Sequence, residues 1–271
     1  MAVTGSDPGL RPDTGSAAGD TASPLRRLLS SPARLWHYFG IPLVVTGSLV
    51  WLYGYARGVE FTSREQRSVS RDFIIARGVE HITLGLLVVA GVLLIAIPLG
   101  MMLTRPWAKR VTPVFVSIAN AGQAIPSIGL LVLLAIWQGI GARTAVIGVI
   151  AYCILPVLRN TMVGIQQVDA AIIEAGRGMG MTKRAVLWRI ELPLAIPVML
   201  AGVRTALILA VGTITLGALI GAGTFGRIID AGVRGFSTPV LLIGGVLTAA
   251  LALTIDWIAG IAEDVLRPRG L

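Results

Sequence analysis

A single cysteine, two lysines, two histidines and few charges leave most familiar chemistries without material. One cysteine, Cys153, excludes an internal disulfide and any Cys-x-x-Cys metal site, and its apolar neighbours make it a small buried filler. Lys109 and Lys183, the only lysines, are each followed by arginine, which excludes a phosphate-binding loop ending in Gly-Lys-Ser/Thr. His37 and His81 stand at the starts of apolar runs, where a ring reads as an anchor at the lipid head groups. Arg204 and Asp256 stand at the edges of the fifth and sixth apolar runs, toward one end of their spans, so no central acid and base are available for catalysis or for proton-coupled transport. Charged residues make up 14% of the chain, against roughly 25% in soluble domains.

What is abundant is apolar: 55% hydrophobic residues and 33 glycines, with a mean hydropathy of +0.80. Uncharged runs fall at Leu35–Ala56, Ile82–Leu103, Val111–Trp137, Thr144–Leu158, Thr205–Gly226 and Gly235–Ile255. Most of them approach the roughly 20 residues that a helix needs to cross a bilayer. The expected fold is therefore all-α, a polytopic membrane bundle of about six spans in contact with lipid. The fourth run is short, which Arg143 and Arg159 relieve by reaching outward from its ends.

Residues 1–34, rich in Gly, Pro, Ser, Thr and Asp, read as a disordered tail, and Asp7, Asp13 and Asp20 argue against a cleaved signal. Residues 35–78 then hold the first span and an external loop, residues 79–264 the main transmembrane domain with a polar segment at 159–193, and residues 265–271 a tail. Basic residues are retained on the cytoplasmic side. With both tails, the Thr104–Arg110 turn and the 159–193 segment on one side, that side holds 14 Lys and Arg and the other 8. Both termini and the polar segment are thus expected in the cytoplasm. The net charge of +9 is spread over span ends rather than gathered on one face, so topology explains it and nucleic acid does not. Trp36, Trp51, Trp107, Trp137 and Trp257 lie near span ends, as an aromatic belt requires.

Gly221-Ala-Gly223-Thr-Phe-Gly226 matches the Gly-x-Gly-x-x-Gly pattern of dinucleotide sites, but it closes an apolar run instead of joining a strand to a helix. With Gly217 it reads as a place of close helix approach or a sharp turn at the external surface. The few polar residues inside spans, Asn120, Gln123 and Ser127 in the third and Thr213 and Thr215 in the fifth, are candidates to line a solute path. They serve equally well as hydrogen bonds between helices, and Pro113 and Pro126 as kinks in the third span.

The polar segment between the fourth and fifth spans is too long for a turn. Asp169 stands near the start of a first helix, where a carboxylate suits the dipole, and Thr182 can cap a second, while Gly176, Gly178 and Gly180 keep the surface low. Three glycines in five residues weaken an isolated helix, each by roughly 1 kcal/mol relative to alanine, which seating in a partner's groove would offset. Met179 and Met181 supply adaptable apolar contacts. Arg184 leads back toward the membrane, and Pro193 and Pro197 sit where a first helical turn tolerates proline.

Glu174-Ala175-Gly176, followed by Gly180 and Ile190-x-Leu192-Pro193, resembles the cytoplasmic "EAA" motif of ATP-binding-cassette importer permeases, with Gly176 where alanine is usual. The stretches "AIPSIGLLVLL" and "GTITLGALIGAGTFGRII" are similar to the osmoprotectant branch, and the likeness runs from about His81 to Asp264. The resemblance implies a type I importer permease in a bacterial cell membrane. It implies a second permease copy or paralogue, a pair of cytoplasmic ATPase subunits docked at Glu174–Met181, and an external solute-binding protein. This chain would bind no cofactor and perform no catalysis, ATP being used by the partner subunit. The solute it implies is glycine betaine, choline or carnitine, with a sulfonate or amino acid as the alternative; a membrane enzyme or scaffold is the reading outside this class.

Overall fold

The computed structural model describes residues 36–266, and every regular element among them is helical. After a π-helical turn at Trp36–Gly40 the chain runs through α1 (Ile41–Arg57), a short α2 (Ser63–Ser68) and the long α3 (Arg71–Leu103). Helices α4 (Thr112–Ala124) and α5 (Ser127–Gln138) follow, then α6 (Ala142–Gln166), α7 (Ala170–Gly178) and the single turn α8 (Lys183–Val186). A π-turn, Leu187–Glu191, carries α8 without interruption into α9 (Leu192–Ile214), which tightens to a 3-10 turn over Thr215–Ile220. Helices α10 (Gly226–Arg234) and α11 (Thr238–Leu266) complete the chain. Five of these stretches are long and apolar enough to cross a bilayer, or six if α4 and α5 count as one broken span.

The core is a three-helix seam of α3, α6 and α9, and its residues recur at every fourth position. Leu84, Val88, Val92 and Ala96 on α3 meet Ala145, Val149, Cys153 and Val157 on α6 and Ala206, Ala210 and Ile214 on α9. A spacing of four keeps side chains on one helix face, one turn above another, and alanines let the backbones approach. Cys153 is fully buried in this seam, as a small filler should be. Helices α4 and α5 pack on α6, while α11 bridges α9, α10 and α1.

Several boundaries differ from the apolar runs. Helix α3 begins at Arg71 rather than Ile82, so the first loop ends at Ser70. Its first three turns carry Arg77, Glu80 and His81, whose polarity hides them from a search for apolar residues. His81 is no interfacial anchor: it is fully buried. Its Nε2 lies 3.1 Å from the Val211 carbonyl, and its Nδ1 accepts from the Phe225 N–H at 3.3 Å. The side chain of His37, and residues 1–35 and 267–271, lie outside the described residues. The third run is not one rod: α4 and α5 meet at 98° across Ile125 and Pro126. Proline gives up a backbone donor and bars helical geometry in the residue before it, and Ile125 is accordingly extended at ψ 130°. The fourth span is 25 residues, Ala142–Gln166, because Arg159, Asn160 and Gln166 continue the helix. The polar connection accordingly narrows from 159–193 to the residues after Gln166. At the C-terminus α11 continues through Leu266.

Pro193 and Pro197 do not open a helix, because α8 is already running into α9 when the chain reaches them. The π-turn comes immediately before Pro193, where the Leu192 N–H reaches back to the Leu187 carbonyl. The widened turn accommodates a ring that cannot donate. The turn expected of the glycines near residue 221 is present. Gly221 takes φ +92° at the end of the 3-10 turn, and the Gly223 N–H donates to Glu80 Oε1 at 2.9 Å. At Gly226 a Cβ would strike the Thr215 carbonyl and the Ala218 methyl. Backbone atoms cannot swing aside as a side-chain tip can. Gly226→Ala is therefore expected to cost about 1–3 kcal/mol, toward the upper end, read as a lowered thermal midpoint of the purified chain in detergent. An unchanged midpoint would show that the loop relaxes freely.

Candidate functional site

Chain direction places α7 and α8 at one end of the bundle. From there α9 crosses to the far end, where α10 lies, and α11 returns. The start of α1 meets the end of α11, where Tyr38 Oη donates to Asp264 at 2.6 Å and Trp257 Nε1 donates to the Tyr38 carbonyl at 3.3 Å. Both ends of the described chain therefore share the end of the bundle that holds α7. Trp36, Trp51, Trp107 and Trp137 are exposed, consistent with rings facing lipid and head groups.

Helix α7 is built by its caps. Asp169 accepts from the Ala171 N–H at 2.9 Å, and Ala, Ile and Glu, sound helix formers, fill the first two turns. The far end closes with the Met181 N–H bonding the Gly176 carbonyl at 3.1 Å and the Gly180 N–H bonding the Arg177 carbonyl at 2.9 Å. Gly180 sits between them at φ +84°, the left-handed position that such a stop requires. Thr182 then caps α8 by accepting from the Ala185 N–H at 3.2 Å. The Thr182 cap stands where the sequence placed it, and Asp169, expected near the helix start, is itself the cap.

The three glycines have different jobs. Gly176 is buried, and a Cβ there would lie 2.6 Å from Ile190 Cδ1 and 3.4 Å from Met181 Sδ. It lets α7 lie down on the turn that leads into α9. Gly180 supplies the left-handed turn, and Gly178 has open space around it with no such demand on its backbone. The exposed surface thus includes Glu174, Ala175, Arg177, Gly178 and Met179, with Arg184 on the adjoining turn. Met179 is 77% exposed and Ile172 45%, so the patch sets apolar contacts beside the Glu174 carboxylate and the Arg177 guanidinium.

This surface is braced from below by an ion pair that lies apart from the motif. Arg105, in the turn after α3, gives Nη2 to Glu191 Oε2 at 2.5 Å and Nη1 to Oε1 at 3.4 Å. Its Nε donates to the Met101 carbonyl at 3.2 Å. Glu191 is only 7% exposed and ends the π-turn beneath α7. Its signal in the sequence was its place beside Ile190 and Leu192; its partner is 86 residues away.

The polar residues of the spans are spent differently. Asn120 Oδ1 accepts from Arg159 Nη2 at 2.8 Å, and Gln123 Nε2 donates to the Tyr152 carbonyl at 3.2 Å, so both fasten α4 to α6. Thr215 Oγ1 bonds the Val211 carbonyl of its own helix at 3.0 Å. Thr213 is buried, and Ser127 is half-buried at the start of α5. Arg204 and Asp256 pair across α9 and α11 through two bonds of 2.6 and 3.0 Å, with Glu263 3.6 Å from the same guanidinium. Among the described residues no group of three His, Cys, Asp or Glu could hold a metal ion.

A bundle of this topology, with a capped amphipathic helix lying across the entrance to its longest helix, defines a multi-pass transport permease. Two solved structures share it. An inward-facing methionine ABC transporter, MetNI, superposes with a TM-score of 0.64 at 25% identity, over 71% of this chain and 96% of that one. An amino acid ABC transporter solved with histidines gives 0.63 at 18% identity, over 76% and 100%. The chain belongs to the family described as binding-protein-dependent transport system inner membrane component, whose model matches residues 96–268. Members of that class work with ATPase and solute-binding partners. Among curated relatives, the carnitine transport permease protein OpuCD of Listeria monocytogenes is 42% identical over 176 residues, 65% of this chain and 78% of that one. The choline transport system permease protein OpuBB of Bacillus subtilis (strain 168) is 38% identical over 192 residues, 71% and 88%. The osmoprotectant import permease protein OsmY of Salmonella typhimurium is 41% identical over 164 residues, 60% and 70%.

Proposed function

We propose that this chain is the permease subunit of an ATP-driven importer for small quaternary ammonium osmoprotectants such as carnitine, choline and glycine betaine. The observation that carries the reading is the 42% identity to a carnitine permease over 176 residues. Two such chains, or this one and a paralogue, would enclose the path, with Asn120, Gln123, Ser127, Thr213 and Thr215 as its polar candidates. Helix α7 would dock on the ATPase dimer through Glu174, Ala175, Gly178 and Met179, with both termini cytoplasmic. Gly176, Gly180 and Met181 would hold that surface in shape, with Arg184 exposed beside it as a further docking contact. The chain would hold no nucleotide or metal of its own. Aromatic rings sufficient to cage a quaternary ammonium are not gathered within its spans, so solute choice is assigned chiefly to the binding protein.

Cells carrying the complete transporter are expected to accumulate labelled glycine betaine in high-salt medium, and deletion of this gene to abolish that uptake. Unlabelled carnitine and choline should compete, and proline and methionine should not. Gene-dependent uptake blocked by methionine alone would favour an amino-acid importer, the second reading that the MetNI likeness supports.

A further inference from the structure

The far end of the bundle carries an exposed aromatic ring in an unfavourable backbone conformation. Helix α10 ends as α7 does: the Phe236 N–H bonds the Val233 carbonyl at 3.2 Å and the Ser237 N–H bonds the Gly232 carbonyl at 2.9 Å. The left-handed position of that stop is Phe236, at φ +50°, the one such residue besides glycine among those described. Glycine is the usual occupant, because a Cβ crowds the backbone there. Gly235, one residue earlier, is spent on an ordinary right-handed conformation, φ −87°. Phe236 packs against little among the described residues in return, since it is 97% exposed. A bulky residue held in left-handed geometry with its ring in the open points to a contact with something else.

Its surroundings indicate the chemistry of that contact. Beside Phe236, helices α2 and α10 border a cleft of about 580 Å³ lined by Arg64, Glu65, Arg227, Asp230 and Arg234, among others. Both carboxylates are engaged: Glu65 accepts from the Thr62 hydroxyl at 2.7 Å, and Asp230 pairs with Arg234 at 2.8 Å. Arg64 and Arg227 form no ion pair among the described residues. Three arginines against two carboxylates leave the lining basic, and Gly235, the residue before Phe236, is part of it.

We infer that Phe236 and the basic cleft between α2 and α10 form the docking point for a lobe of the solute-binding protein that presents an apolar recess edged by carboxylates. This rests on the transport reading above, which makes the far end the external one. Exposed aromatic anchors ringed by charge are the usual centres of interface energy, and opposite charge steers the encounter.

The test uses the whole transporter, permease with its ATPase, in proteoliposomes, and follows ATPase stimulation against the concentration of solute-loaded binding protein. Phe236→Gly relieves the backbone, so its thermal midpoint should hold or rise. Its half-saturating concentration of binding protein should nonetheless rise by roughly tenfold or more. Arg227→Glu should raise it too, and more at low salt than at high. Unchanged half-saturation in Phe236→Gly overturns the docking, and a lowered maximum at unchanged half-saturation overturns it by placing the ring in lipid. A wild-type complex that no binding protein stimulates overturns the transport reading, and the docking with it.

Discussion

Met179→Arg is expected to reduce solute uptake by roughly thirtyfold or more, the effect of losing one interface anchor, while leaving the chain folded. Met179 ends α7 with 77% of its surface exposed, so the substitution removes no packing within the chain. A cation also suits a helix C-terminus. What changes is an apolar contact that becomes a charge needing water. Pull-down of the ATPase subunit should fall in parallel with uptake, and intact pull-down with full uptake would remove α7 as the docking element. A bulky residue at Gly180 is a poorer probe, because φ +84° at that position makes any side chain disturb the turn itself, by about 1–2 kcal/mol. Gly178, with open space around it, is the cleaner companion: Gly178→Leu should obstruct the partner without disturbing the helix stop.

The second large effect concerns stability. Arg204→Leu should lower the thermal midpoint of the detergent-purified chain by roughly 10 °C, the equivalent of about 3 kcal/mol. The guanidinium holds Asp256 at 2.6 Å and Glu263 at 3.6 Å. Without it Asp256 loses both of its hydrogen bonds to Arg204 in a poorly solvated place. The side chain of Arg204 is 31% exposed, which sets the loss at the lower end of what breaking a buried pair costs. Replacing Arg204 and Asp256 together with leucine should recover much of the loss, since an apolar pair needs no partner. A double variant as unstable as the single one would mean that the charges shape the helix contact rather than merely neutralise each other.

The residues that declare themselves in this sequence are those whose meaning is local. Apolar runs give the spans, Asp169 and Thr182 mark the starts of the two helices between the fourth and fifth, and the Glu174–Pro193 spacing gives the family. What stayed hidden depends on partners far along the chain. Arg77, Glu80 and His81 look like the end of a loop until the turn at residues 221–226 folds over them, some 140 positions later. Arg105 looks like a topology-setting cation until Glu191 reaches it. Gly176, Gly178 and Gly180 share one letter but not one cause, and only dihedral angles and neighbours tell them apart. Pro126 was legible as a kink, though not the 98° bend it introduces, because the size of a bend is set by what the two halves pack against.

From Lys183 to Ile220 the chain never leaves the helical state, a stretch of 38 residues that begins under the exposed patch of α7 and ends at Gly221. At 1.5 Å per residue it is a stiff member about 57 Å long, so a tilt of about 5° at one end sweeps the other by roughly 5 Å. That sweep exceeds the 2.9 Å hydrogen bond joining Gly223 to Glu80. Movement imposed at one membrane surface must then either tear the 221–226 turn from α3 or drag α3 along with it. The far end of that long member is thus latched to the start of α3 by two side chains, Glu80 and His81, and any tilt of it is borne by those two hydrogen bonds.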